Sequence, residues 1–189
     1  MAGVLKDAAP GDSKLRARLD TITSSPPDEQ LTAIEELRAE FSHSIVLREG
    51  ANSSHIPFNC YEFAFDIAGA PAVNIILTEG DAKKNEKLAV TDDFVSGLLR
   101  EVLAERTPDS VTDGDIIIYF DNNTPTHAGK VKKGRVVSKW GTGHLWEHAI
   151  YEVPLSYGNR HKFFLPVDRD DILVRFIQYA KAHGSDYED

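Results

Sequence analysis

Apolar positions recur at helical spacing through the first half of the chain and as short strand-like runs through the second. Leu31, Ile34, Leu37 and Phe41 repeat every three or four residues behind the start signal Ser24-Ser25-Pro26-Pro27, with Glu and Arg on the other side, and predict a helix over 28–42. A weaker stripe of Leu15, Leu19 and Ile22 predicts a short helix, Ser13 to Ile22, on a mobile arm. Turn-forming residues from Glu49 to Pro57 then deliver the chain to Asn59. From Cys60, the side chains of Phe63, Ala64 and Ile67 line one face, and Gly69 before Ala70-Pro71 supplies a stop. Residues 72–90 begin apolar at Val73 to Leu77 and turn polar and lysine-rich, which reads as a loop or small excursion over the domain. Thr91-Asp92-Asp93 caps a further helix with Phe94, Leu98 and Val102 facing inward, ending near Arg106.

Asp113-Gly114-Asp115 opens the second half and leads into Ile116 to Phe120, a run of β-branched and aromatic residues of strand length. Further strands are predicted at Thr126 to Lys132, Arg135 to Trp140, Ala149 to Val153 and Arg160 to Pro166. Asp168 to His183 closes the pattern as a helix with Ile172, Phe176 and Tyr179 or Ala180 inward. Helices followed by short strands joined by turns predict an α+β fold with an antiparallel sheet. Residues 1–26 read as a flexible N-terminal arm and 27–184 as a single α+β domain.

Composition narrows the function classes. The 189 residues, 41% of them hydrophobic, suffice for one substantial core. Lys and Arg number 21 against 30 for Asp and Glu, a formal charge of -9, which argues against nucleic acid and anionic membrane as partners. No segment approaches the roughly 20 apolar residues needed to span a bilayer, and no signal peptide is visible at Met1 to Pro10. A cytoplasmic protein is expected, or one exported without a cleavable signal. Lys83, Lys84 and Lys87 read as a solvated charge patch.

Cys60 is the only cysteine, so it forms no internal disulfide and no multi-thiolate zinc site; it is either a core filler or a nucleophile. At a predicted helix start its thiolate is favoured by the macrodipole and by unpaired N–H groups, which would also face a developing oxyanion. His127, in His127-Ala128-Gly129, is the candidate base. If Lys133-Gly134 forms a two-residue turn, Gly129 stands opposite Ser138, and His127, Gly129, Ser138 and Trp140 share one face; Ser138 is then the expected orienter of His127. A slip of one residue would present Lys139 instead. His148 is an alternative partner for His127. His144 and His148 stand four apart with Glu147 between them, but Gly141 and Gly143 disfavour a helix there, so neither a metal nor a cofactor is expected.

Asn-Cys at a helix start, Asp-Gly-Asp before an apolar strand, His-Ala-Gly on the next strand and a hairpin back together resemble the NlpC-type branch of the papain-like cysteine peptidases, over about residues 57–165. The resemblance implies a papain-like fold, here with N-terminal helices packed on the sheet and an added C-terminal helix. It also implies a Cys-His-polar triad and hydrolysis of peptide bonds in cell-wall stem peptides. Cys60 matches the nucleophile and His127 the base, while Ser138 falls where the family most often has His, Asn or Gln. Both tryptophans lie in the unusual segment from Ser138 to His148 and are expected to form a cleft wall. The expected substrate contacts are Asn59, Tyr61, Trp140, Trp146 and His148, and the expected partner is a peptide or peptidoglycan-like substrate. Two other readings stay open: a catalytically degenerate papain-like module that binds a peptide or protein partner, and thiol acyl transfer on the same fold.

Overall fold

A computed structural model describes residues 11–51, 58–79, 88–141 and 143–187. The first ten residues, most of the connection before Asn59, the Lys83, Lys84 and Lys87 patch and Thr142 lie outside the described residues. In chain order the helices are α1 (Ser13–Thr23), α2 (Pro27–Leu37), α3 (Cys60–Ala64), α4 (Pro71–Glu79), α5 (Asp92–Glu101) and α6 (Arg169–Ala182). The strands are β1 (Val46–Glu49), β2 (Glu105–Arg106), β3 (Ile116–Asp121), β4 (Thr124–Lys132), β5 (Arg135–Lys139), β6 (Leu145–His148) and β7 (Arg160–Phe164). They form one antiparallel sheet in the order β1-β6-β5-β4-β3-β7-β2, so the protein is α+β.

Strand β3 explains the layering, because its side chains are buried on both sides. Ile116, Ile118 and Phe120 join Ala128, Phe164, Cys60 and the inward residues of α4, α5 and α6 in one core. Ile117 and Tyr119 point the other way, into a cluster with Val131, Val136, Ile150, Tyr151 and Val153. Beside that second cluster, α1 and α2 pack on Trp140 and Trp146. The sheet thus lies between two layers, and a side chain's place in the strand alternation decides which layer it meets.

The Lys133-Gly134 turn is present, with φ of 51° and 72°, the signature of a two-residue hairpin turn with both central residues left-handed. It sets Lys132 opposite Arg135 and Lys130 opposite Val137. Continuing that register brings Gly129 against Ser138, where a Cβ on Gly129 would lie 2.9 Å from the Ser138 Cβ.

Several elements differ from their sequence reading. Residues 13–23 are not an arm: Leu15, Leu19 and Ile22 are buried, and Arg16 is 1% exposed. Its guanidinium donates to the carbonyls of Val153, Pro154 and Gly158 and to Asn159 Oδ1. The arginine that made the stripe look weak is thus its anchor. Helix α2 ends at Leu37, and Arg38 then ties the returning chain through the Ile45 carbonyl. Helix α3 has five residues, stopping before Asp66 at a φ of 59°. Residues 71–79 form α4, started by Pro71, with Val73 and Ile76 in the core. The strand expected at 149–153 is instead β6, four residues earlier in the chain, and all four of its residues are buried, which removes the alternation that would have marked it. No helix among the described residues is long and apolar enough to cross a membrane.

Candidate functional site

Cys60 opens α3, and Asn59 caps it. The Asn59 side chain accepts from the N–H groups of Tyr61 (2.9 Å) and Glu62 (3.1 Å), and Glu62 accepts from the Asn59 N–H (3.2 Å), a reciprocal capping box. Asn59 also donates to the Val90 carbonyl at 3.0 Å, so its side chain is spent on the fold rather than turned to a substrate. The same cap occupies the N–H groups of Tyr61 and Glu62, which belong to the helix start expected to face an oxyanion. Cys60 is 9% exposed. Burial pushes its thiol up to about 12, against the N–H groups of Ala128, Tyr61 and Cys60 itself, which favour the thiolate.

His127 sits on β4 directly opposite Tyr119, and Ala128 opposite Ile118. Directly opposed residues share a face. Ala128 therefore points into the Cys60 core, and the His127 ring points to the reverse face. There it stacks on Tyr157, with centroids 3.9 Å apart and planes 14° apart, and lies 5.6 Å from Tyr119. The ring is 1% exposed, and its Nε2 has no hydrogen-bond partner among the described residues. Burial, with His148 adding, holds its pKa well below the ordinary histidine value.

Cys60 and His127 lie on opposite faces of the sheet: Cys60 packs in one core with Ala128, while the His127 ring stacks on Tyr157 on the reverse face. Ala128, one residue along from His127, shares the core with Cys60, and its N–H acts to lower the thiol against the effect of burial. No hydrogen bond joins Cys60 to His127 among the described residues. The junction holds a thiol and a neutral imidazole, not an ion pair.

Ser138 is fully buried and bonded to His148 Nε2 at 2.8 Å and to Trp140 Nε1 at 3.2 Å, not to His127. His148, also fully buried, makes its other bond to the Ala149 carbonyl at 2.8 Å. Trp140 and Trp146, 1% and 2% exposed, fill the packing between the sheet and α1 and α2, so they do not form a cleft wall, and His148 lies beneath the surface with them. His144 is held by the Ala51 N–H and the Pro27 carbonyl. Among the described residues no group of three or more His, Cys, Asp or Glu side chains is placed to hold a metal ion.

Of the expected substrate contacts, Tyr61 borders an open groove among the described residues. This groove, about 480 Å³ in volume, runs between Tyr61 and Tyr157 over Asp92, Pro125 and Ser156. The Tyr61 hydroxyl donates to the Pro125 carbonyl at 3.0 Å. Tyr157 reaches the site on a 3-10 turn, Leu155–Tyr157, and its hydroxyl is raised by burial first and then by Cys60, which places the two within electrostatic reach. Sequence reading missed Tyr157. Its one visible signal was the Pro154 to Gly158 turn, which does not reveal what the ring stacks on.

The buried histidines give stability an acid limb. His148 is pushed to about 4, chiefly by burial, and His127 is lowered by the same cause. In the unfolded chain both would bind protons below about 6.5. Between that pH and about 4 the unfolded state binds more protons, and stability falls by about 1.4 kcal/mol per pH unit for each histidine at full effect. Glu62 acts oppositely: burial raises it to about 7, against the Asn59 N–H and Lys139, so it stabilises as pH falls from about 7 to 4.5. Two groups against one leave a net loss, and the urea midpoint is expected to drop between pH 6.5 and 4.5, less steeply in His148→Gln. A flat or rising midpoint would show that the histidines are charged in the folded protein.

Fold and site define an α+β protein with a cysteine on one face of an antiparallel sheet and, on the other, a buried histidine beside a Trp-Ser-His chain. Residues 50–165, more than half of the chain, match the family described as a domain of unknown function, DUF7689, and the chain belongs to that family. No curated protein and no solved structure matches it.

Proposed function

We propose that this protein is a thiol hydrolase that cleaves an amide bond in a peptide, using Cys60 and His127 on a papain-like arrangement of the NlpC type. The observation that carries the reading is the junction of α3 with β4, where Cys60 packs in one core with Ala128, the residue next to His127. Two features support it. The chain presents cysteine on a helix, histidine on β4 and a polar residue on β5, with Gly129 and Ser138 opposed so that His127 and Ser138 share a face. The buried, unpartnered His127 Nε2 is also a cost that a proton-handling role explains.

The chemistry starts from the neutral pair. As a peptide fills the groove between Tyr61 and Tyr157, sulfur and ring close to bonding distance, a tightening common when a free enzyme takes up substrate. His127 takes the Cys60 proton as sulfur bonds to the carbonyl carbon. Collapse of the adduct breaks the C–N bond, the amine leaves with that proton, and a thioester remains. Water, deprotonated by His127, attacks the thioester; the acid is released and Cys60 regains its proton. Cell-wall-type stem peptides are the first substrates to test.

A second reading, a degenerate module that binds a peptide or protein partner without chemistry, is favoured by the Cys60 thiol standing near 12 with no bond to His127. Iodoacetamide alkylation of Cys60, followed by mass spectrometry across pH 6–10, separates the two. The hydrolase predicts labelling that levels off near neutral pH and slows about a hundredfold or more in His127→Ala, the lower edge of what a lost general base costs. A rate that climbs toward about pH 12 and is the same in His127→Ala would sink it in favour of the module.

A further inference from the structure

We propose that His148 is a positioning residue: by taking the Ser138 hydroxyl proton it leaves Ser138 able to meet His127 only as an acceptor, and so sets the tautomer of His127. The role matters for catalysis only if the hydrolase reading holds, but the hydrogen-bond accounting stands without it.

The accounting begins at the Ala149 carbonyl, which can only accept. His148 Nδ1, 2.8 Å away, must therefore carry a proton. A neutral imidazole has one N–H, so Nε2 is an acceptor, and the Ser138 Oγ at 2.8 Å is its donor. Burial keeps His148 neutral down to about pH 4, with Glu152 and Glu147 opposing that shift and Arg135 adding to it. Trp140 Nε1 can only donate, and at 3.2 Å it fills one lone pair of the same oxygen. One lone pair of Ser138 is left.

His127 is the group placed to use it. Gly129 stands opposite Ser138 and has no side chain to intervene, and His127 is two residues along β4 on the same face. Diagonal neighbours at that offset are within reach of an aromatic side chain. The His127 Nε2 is buried without a partner, and His148 is close enough to His127 to depress it electrostatically. A proton on Nε2, shared with Ser138, leaves the Nδ1 lone pair as the basic site of the ring. Serine alone orients an imidazole weakly because its hydroxyl can donate as readily as accept; here His148 and Trp140 remove that freedom.

Long-range proton–nitrogen correlation spectra of protein labelled with 15N-histidine, recorded from pH 5 to 8, test this directly. His148 is expected as the Nδ1–H tautomer and His127 as the Nε2–H tautomer. In Ser138→Ala the His127 signal is expected to shift toward mixed tautomers, while His148→Gln, whose amide oxygen can still accept from Ser138, keeps the wild-type His127 state, and His148→Leu loses it. An Nε2–H tautomer at His148, or a His127 tautomer unchanged in Ser138→Ala, would overturn the assignment. His127-independent alkylation of Cys60 together with the expected tautomers would overturn the hydrolase reading and leave this one intact.

Discussion

The Arg16→Ala protein is expected to lose about 3–5 kcal/mol of stability, because each buried acceptor left without its donor costs about 1–3 kcal/mol. Arg16 is 1% exposed and serves the carbonyls of Val153, Pro154 and Gly158 and the amide oxygen of Asn159. Alanine would leave buried acceptors without donors and detach α1 from the segment that carries Tyr157. Lysine should recover only part of the loss, since a single ammonium cannot reproduce a planar fork. Urea unfolding of the three proteins measures both. A loss below about 1 kcal/mol, ordinary for a surface change, would mean that α1 is peripheral after all.

Gly158→Ala is expected to be nearly as damaging. Gly158 has a φ of 94° with ψ at 170°, a backbone region open essentially to glycine, and a Cβ there would fall on the Phe120 carbonyl. The conformational cost of about 1–3 kcal/mol adds to overpacking of about 1–3 kcal/mol. Because Gly158 follows the turn that presses Tyr157 onto His127, the substitution should also disturb the His127 ring, seen as altered histidine proton shifts at a temperature where the variant is still folded. Wild-type stability would mean that β3 yields to the turn more readily than its packing implies.

Cys60, His127 and Ser138 were each legible as candidates because their residue types, order and turn spacing are local information. The Lys133-Gly134 turn carried the β4–β5 register correctly, since a two-residue loop leaves one pairing. The depth of the site was not legible. Trp140 and Trp146 suggest a rim when only their chemistry is known, and they became core because α1, remote in sequence, covers them. Arg16 interrupts an apolar stripe, and nothing within its own helix reveals four distant oxygens waiting for it. Helix α4 and strand β6 escaped for a related reason: α4 begins in a short apolar run without clear period, and β6 is buried throughout.

By itself the chain determined its class and its candidate chemistry: helices before strands, an antiparallel hairpin with a fixed register, and one thiol placed at a capped helix start ahead of a histidine strand. Those follow from hydrophobic period, turn geometry and capping, which act over a few residues. Only the tertiary structure decided that Cys60 and the His127 ring lie on opposite faces of the sheet, that Ser138 bonds to His148 rather than to His127, and that burial raises the thiol and lowers the ring. Those depend on which layer each side of the sheet meets and on how much water is excluded there, quantities summed over elements far apart in the chain.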